Sequence, residues 1–376
     1  VRLRVNIVFF SFAGKLAHKH SAFKWASVFL GVWWGLFVLA VAPARAQLKT
    51  ESPLADIALN QAPDRQAKLM EGAKKEGTFT LYSSMPVPDI NALTEVFYKR
   101  YGVKAVVWRA GSEEVLQRTV TEARGGRFEV DIVENSVPSM EALRREKLLQ
   151  QVLSPVQAQI MPEAVPAHKE WVGSTFDAFV QGYNTNLIKK EDLPKSYQDL
   201  LDPKWKGQLG IEAEDQSWFA VLTQELGQDK GEKLFRSIVD TNGISVRKGH
   251  TLLANLVASG EVPLALTLYN YAPEQLKQKG APIDSFILSP AIAQFRAVGV
   301  LKKSPHPNAA VLWYDFMLGE EAQQILTKRF NYPTNIKINS PVKNQQFKFI
   351  NPQDFLDMNL KWSKTYEQLV TKRAGK

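Results

Sequence analysis

The stretch Val262–Gly280, "VPLALTLYNYAPEQLKQKG", is an apolar strand, "VPLALTLY", followed by a helical pattern, "APEQLKQKG". A buried strand feeding a helix is one βα unit. The same order recurs on both sides. Upstream lie a strand "TFTLYSS" (78–84), a helix Asp89–Tyr101, a strand Val103–Trp108, a helix Gly111–Arg124 and a strand "FEVDIVE" (128–134). An apolar strand within "STFDAFVQGYNTNLI", a strand Gln208–Glu212, a helix from about Asp215, the strand and turn "GISVRKGH" and a helix Thr251–Ala258 come next. Downstream are "DSFILS", "FRAVGV" and a strongly periodic helix from about Asn308. Strands alternating with helical patterns of about 10 to 15 residues predict an α/β fold with mostly parallel sheets. Residues 47–63 are polar without a clear period and read as a loose N-terminal segment.

The first 46 residues hold six basic side chains, no acidic one, and an apolar run from Ala26 to Ala42 ending in "APARA". That is the order of a cleavable export signal, so removal after Ala46 and a periplasmic location are expected. Removal leaves 330 residues of the 376, and losing six positive charges lowers the net charge from +9 to +3. Nothing in that balance calls for nucleic acid, and no basic block with interleaved aromatics supports it. A chain of this length exceeds the roughly 250 to 300 residues at which one core stops growing, so two domains are expected. There is no cysteine. Disulfides, thiolate metal sites and a thiol nucleophile are therefore excluded.

Three segments carry a resemblance to a known family. They are "YNTNLI" with "LPKSYQDLLDPKWKGQLGI", "SGEVPLALTLYNYAPEQLKQKGAPI", and "KSPHPNAAVLWYDFMLGEEAQQIL". They resemble the periplasmic solute-binding proteins of ABC importers, in the extracellular group that includes ferric-iron binders, over about Glu76 to Phe330. The resemblance implies a two-lobed fold of type II periplasmic-binding topology, each lobe a mostly parallel sheet flanked by helices, with a two-strand hinge. The crossings are placed at Phe176–Asn184 and Phe295–Leu301. The first lobe then comprises 64–180 and a return segment 296–376, and the second 181–295. The function implied is capture of a small ligand in the interlobe cleft by hinge closure, and delivery by a monomer to a membrane permease.

Ligands of α/β sheets sit beyond the carboxyl ends of strands, near helix N-termini. That rule selects Ser83 and Ser84 after the first strand, Ser112 at a helix start, Asn135 and Ser136 after "DIVE", Asp215 and Trp218 after the strand ending at Glu212, Arg247 after "GISV", and Tyr269 and Tyr271. Each also has a plainer role, as a cap, a core ring or a solvated charge. Arg247 and Lys248 are the expected cationic partners of an acidic ligand. In the ferric-iron relatives this region supplies adjacent tyrosines, whose phenolates suit a hard trivalent ion. Here Asn270 stands between the two, and strand alternation would turn Tyr269 and Tyr271 to one face. They are the candidate metal ligands. Beyond the leader only His168, His250 and His306 remain, of which His250 could approach the cleft, and no helix face carries a spaced His/Glu pair. The sequence thus favours an organic or oxyanionic ligand over ferric iron, and no bound cofactor is expected.

An enzyme on the same fold and a ligand-presenting protein for a chemoreceptor are the rival readings. No G-x-S-x-G, P-loop, H-E-x-x-H or G-x-G-x-x-G supports catalysis.

Overall fold

The computed structural model describes residues 53–371. The expected signal segment lies outside the described residues, among which no helix is long and apolar enough to cross a membrane. The chain opens with α1 (Pro53–Ala58), α2 (Arg65–Glu76), β1 (Thr78–Ser83), α3 (Val87–Tyr101), β2 (Lys104–Arg109), α4 (Ser112–Arg124), β3 (Ile132–Ser136) and α5 (Val137–Arg145). It then crosses on β4 (Val172–Asn184) and builds β5 (Leu209–Glu212), α6 (Gln216–Glu225), α7 (Gln228–Asn242), β6 (Ser245–Arg247), α8 (His250–Ser259), β7 (Leu264–Tyr269), α9 (Tyr271–Gln278) and β8 (Ile283–Phe286). It returns on β9 (Ile292–Val300), continues through α10 (Pro307–Leu318), α11 (Glu320–Thr327), β10 (Tyr332–Pro333) and β11 (Lys348–Phe349), and ends in α12 (Pro352–Asp357) and α13 (Asn359–Tyr366).

Two parallel triplets, β2-β1-β3 and β7-β5-β6, are joined through the antiparallel pair β9-β4. Up to Ala178, β4 pairs with β9; from Phe179 it pairs with β7 and β8. All thirteen residues of β4 are buried. At about 3.3 Å per residue such a strand spans about 40 Å, enough to leave one core and enter another. The first core gathers Phe79, Phe97, Trp313 and Phe316 with the aliphatic faces of β1, β3 and β9. A second gathers Phe179, Tyr197, Trp218, Phe219 and Phe235 around β5 and β7.

Three expectations change. Residues 53–58 are helical, because Leu54, Ala55 and Ala58 form an apolar face that packs on α10. The periodic helix from Asn308 breaks at Gly319, whose extended backbone separates α10 from α11. The return segment does not stay with the first core: Ile350, Trp362, Tyr366, Leu369 and Val370 pack into the second, with Trp362 and Tyr366 against Phe219 at 6.1 and 5.5 Å between ring centroids. The helix α7 was not legible as a separate element. Its buried positions Phe235, Ile238, Val239 and Asn242 follow helical spacing, but an interior Gly231 weakens the pattern.

Candidate functional site

The carboxyl ends of both parallel triplets face a cavity of about 610 Å³. The first triplet contributes Ser84 after β1, Arg109 at the end of β2, Ser112 at the start of α4 and Ser136 at the end of β3. The second contributes Glu212 at the end of β5, Asp215 at the cap of α6, His250 at the start of α8, and Tyr269 and Tyr271 around the end of β7. Gln294 and Arg296 of the crossing strand β9 also line it, as do Phe355, Asn359 and Ser363 of the C-terminal helices.

On the second wall, ligating atoms of Glu212, Asp215 and His250 all lie within 4.8 Å of one another. Backbone groups preset this arrangement. The Glu212 carboxylate accepts the N–H of Gly249 at 2.8 Å and that of Glu214 at 2.5 Å, which ties the β5–α6 turn to the β6–α8 turn. Asp215 occupies the N-cap position but makes no side-chain cap, so its carboxylate is turned into the cluster. His250 Nε2 is 3.4 Å from Asp215 Oδ1, and the imidazole stacks on the Tyr269 ring with centroids 3.7 Å apart. The Tyr271 ring lies 6.0 Å from that of Tyr269. Gln294 donates to the Tyr269 hydroxyl.

The electrostatics of this wall are unbalanced. Burial, reinforced by the charge of Glu212, pushes the Asp215 carboxyl well above its ordinary range, and burial raises Glu212 too, although three backbone N–H groups oppose the shift. Burial, with the nearby positive charge of Arg296, lowers the His250 imidazole to about 3, so the ring is neutral at physiological pH. Burial and then the carboxylate of Asp215 raise the Tyr269 phenol. Asp215 Oδ2 and His250 Nε2 are buried and lack a hydrogen-bond partner. A buried unpaired polar group costs about 1 to 3 kcal/mol, and a ligand that contacted both atoms would relieve that cost. Two carboxylates, a neutral imidazole and phenols together form an oxygen-rich donor set for a hard cation.

The opposite wall is cationic and rich in donors. Arg296 donates through Nε to Glu134 Oε1 at 2.8 Å and through Nη2 to Ser84 Oγ at 2.9 Å, and Nη1 lies 3.5 Å from Asp177 Oδ2. Burial pushes Asp177 up to about 6 against the pull of Arg296. Arg109 is held by the carbonyls of Met85 and Ser84 at 3.2 and 3.3 Å.

Of the residues selected from sequence, Ser84, Ser112, Ser136, Asp215, Tyr269 and Tyr271 line the cavity. Four do not. Ser83 is buried and donates to Glu134. Asn135 bonds the carbonyl of Ser112 and the N–H of Ser136, fixing the end of β3 to the start of α4. Trp218 is 1% exposed and packs on Phe235 and Tyr197 in the second core, because it falls on the inner face of α6. Arg247 turns away and meets Glu261 at 3.2 Å. The cations at the cavity are Arg109 and Arg296 instead. A lone arginine inside the apolar strand "FRAVGV" was the available signal for Arg296. Glu212 satisfied the same strand-end rule as Asp215 but reads as the last residue of its strand.

Strand alternation does not orient the two tyrosines, since β7 stops at Tyr269 and Tyr271 already begins α9. Both reach the cavity because the chain turns between them. Asn270 holds that turn: its Oδ1 accepts the N–H of Ala178 at 2.8 Å, and its Nδ2 donates to the carbonyl of Phe330 at 2.7 Å.

Comparison with known proteins places these features in context. The chain is 24% identical over 297 residues to an Fe(3+)-binding periplasmic protein of Serratia marcescens, covering 76% of this chain and 87% of that protein. Its structure is similar to iron-bound HitA from Pseudomonas aeruginosa (TM-score 0.66, 24% identity, 76% of this chain and 98% of the other). It is also similar to the periplasmic binding protein AfuA from Actinobacillus pleuropneumoniae with fructose-6-phosphate bound (TM-score 0.71, 20% identity, 79% and 99%). The two-lobed type II periplasmic binding fold is thereby shown, and these relatives are binding proteins rather than enzymes. Residues 130–359 match the family model described as bacterial extracellular solute-binding protein, and the chain belongs to that family.

Proposed function

We propose that the protein is the periplasmic capture component of an ABC importer, and that its cargo is ferric iron bound together with an oxyanion. The observation that carries this reading is the pair of buried, unpartnered atoms, Asp215 Oδ2 and His250 Nε2, beside Glu212 and under the ring of Tyr269. A trivalent ion would take those atoms as ligands and offset the cost of ionising the phenols of Tyr269 and Tyr271. The names of the relatives in Serratia marcescens and Pseudomonas aeruginosa support the choice of metal. Arg109, Arg296, Ser84 and the N-terminus of α4 supply donors for the anion on the facing wall. A ligand that touches both walls stabilises the closed state, and the closed form is what a permease distinguishes.

The cavity volume favours a second reading. At about 610 Å³ it exceeds what a bare ion needs and falls among pockets for small organic molecules. A sugar phosphate, the ligand class in the AfuA structure, would set its phosphate on Arg109 and Arg296 and its hydroxyls on Glu212 and Asp215. Calorimetric titration of the purified protein with ferric citrate, citrate alone and fructose 6-phosphate separates the two. Iron cargo requires one-site binding of ferric citrate that falls at least tenfold in Asp215→Asn. Binding of fructose 6-phosphate without any response to iron would replace it with the second reading.

A further inference from the structure

The two turns that build the cluster also carry a second set of charges. From the last residue of β5 the order is Glu212, Ala213, Glu214, Asp215, and after β6 it is Lys248, Gly249, His250. Glu212, Asp215 and His250 are turned inward, with the side chain of His250 10% exposed, whereas Lys248 stands at the cleft mouth, 61% exposed. Its Nζ lies 3.0 Å from Glu214 Oε1, on its own lobe, and 2.8 Å from Glu114 Oε1, on the first turn of α4 in the other lobe. One ammonium thus bridges the two lobes. Gly249 makes the divergence possible: its φ of +102° favours glycine, and its N–H is the one that Glu212 accepts. The backbone atom between the outward lysine and the inward histidine is therefore fastened to the cluster itself.

We infer that Lys248 is a closure latch that sets how long cargo stays in the cleft. The Lys248–Glu214 pair lies within one lobe and survives opening, while the Lys248–Glu114 pair exists only when the lobes are together. Opening therefore breaks one ion pair. Filling the cluster immobilises the turn from which Lys248 reaches across, so occupancy and latching support each other. The coupling to cargo rests on the ligand site proposed above; the latch itself does not. Because both partners are partly exposed, the effect is modest and screened by salt, about threefold in the closed-to-open ratio.

The absence of cysteine makes the test direct. Asn91→Cys on α3 and Asp229→Cys on α7, both exposed, place one spin label on each lobe. In the ligand-free protein, Lys248→Ala and Glu114→Ala should each shift the interlobe distance distribution toward the open form by the same amount. The double variant should go no further, Lys248→Arg should retain the wild-type distribution, and 0.5 M NaCl (about 4 Å Debye length) should mimic the alanine variants. With ferric citrate loaded, release from Lys248→Ala should be about threefold faster at unchanged capture rate. Distances that do not move in either alanine variant overturn the latch. Should ferric citrate fail to bind, the iron reading falls, and the ligand-free distances still decide this inference.

Discussion

The imidazole of His250 lies on the phenol ring of Tyr269, with centroids 3.7 Å apart and ring planes 27° from parallel. The stack fixes the ring so that Nε2 faces Asp215 instead of solvent. His250→Phe keeps a ring on Tyr269 but removes both nitrogens and the buried unpaired atom with them. The ligand-free variant is expected to unfold in urea at the wild-type midpoint or above it, and to hold ferric ion at least tenfold more weakly. A large loss of stability would instead mean that the histidine is a structural partner.

Asp177 gives a pH signature that is separate from the cluster. Its folded value of about 6 stands above the ordinary carboxylate value of 3.8 because burial disfavours the charged form. The native state therefore holds the proton more tightly than the unfolded chain. The resulting stability is fully present below about pH 3.8 and is lost as pH rises through about 6. Two pH units correspond to about 3 kcal/mol at most. Urea unfolding at pH 5 and pH 7.5 should show the wild type losing stability across this interval by more than Asp177→Asn, which lacks that titration. An equal change in both proteins would show that Asp177 keeps its charge throughout.

Much of the architecture was legible because strand and helix periods alternate and strand ends mark the cavity. Ser84, Ser112, Ser136 and Asp215 were found by that rule alone. What stayed hidden depends on which way a turn faces. Glu212 and His250 are distant in sequence, and only the hydrogen bond from Gly249 to Glu212 brings their turns together. Arg296 escaped notice because a crossing strand reads as a connection, not as a floor. In sequence Asn270 only interrupts a tyrosine pair, whereas in the fold its side chain bonds backbone atoms of β4 and of the loop before β10. The C-terminal helices carry too little pattern to show which core they join.

Asn270→Ala should accordingly damage the turn, not a ligand contact. It leaves the N–H of Ala178 and the carbonyl of Phe330 without their side-chain partner, at a cost of about 2 to 4 kcal/mol for the two bonds together. Chemical denaturation measures this directly. A change below about 0.5 kcal/mol would contradict the assignment.

Trp218 and Arg247 form a paired control. Trp218→Ala removes a fully buried ring and should lower stability by about 3 to 5 kcal/mol. Arg247→Ala removes only a partly exposed ion pair with Glu261, and should leave stability within about 1 kcal/mol and ligand affinity within twofold. A selective loss of ligand affinity in Arg247→Ala would restore it to the site.

The sharpest test of iron on the tyrosines is visible absorption on adding ferric citrate, since iron on a phenolate gives an intense visible band that neither ferric citrate nor the ligand-free protein has. One equivalent should produce a charge-transfer band in the wild type, lost or sharply reduced in Tyr269→Phe, which keeps the ring stack on His250 and should lose, with the Gln294 hydrogen bond, no more than about 1 to 3 kcal/mol. Ferric citrate that produces no band and no shift in unfolding temperature, beside a clear shift with fructose 6-phosphate, would rule out iron as cargo and assign the cleft to an organic phosphate.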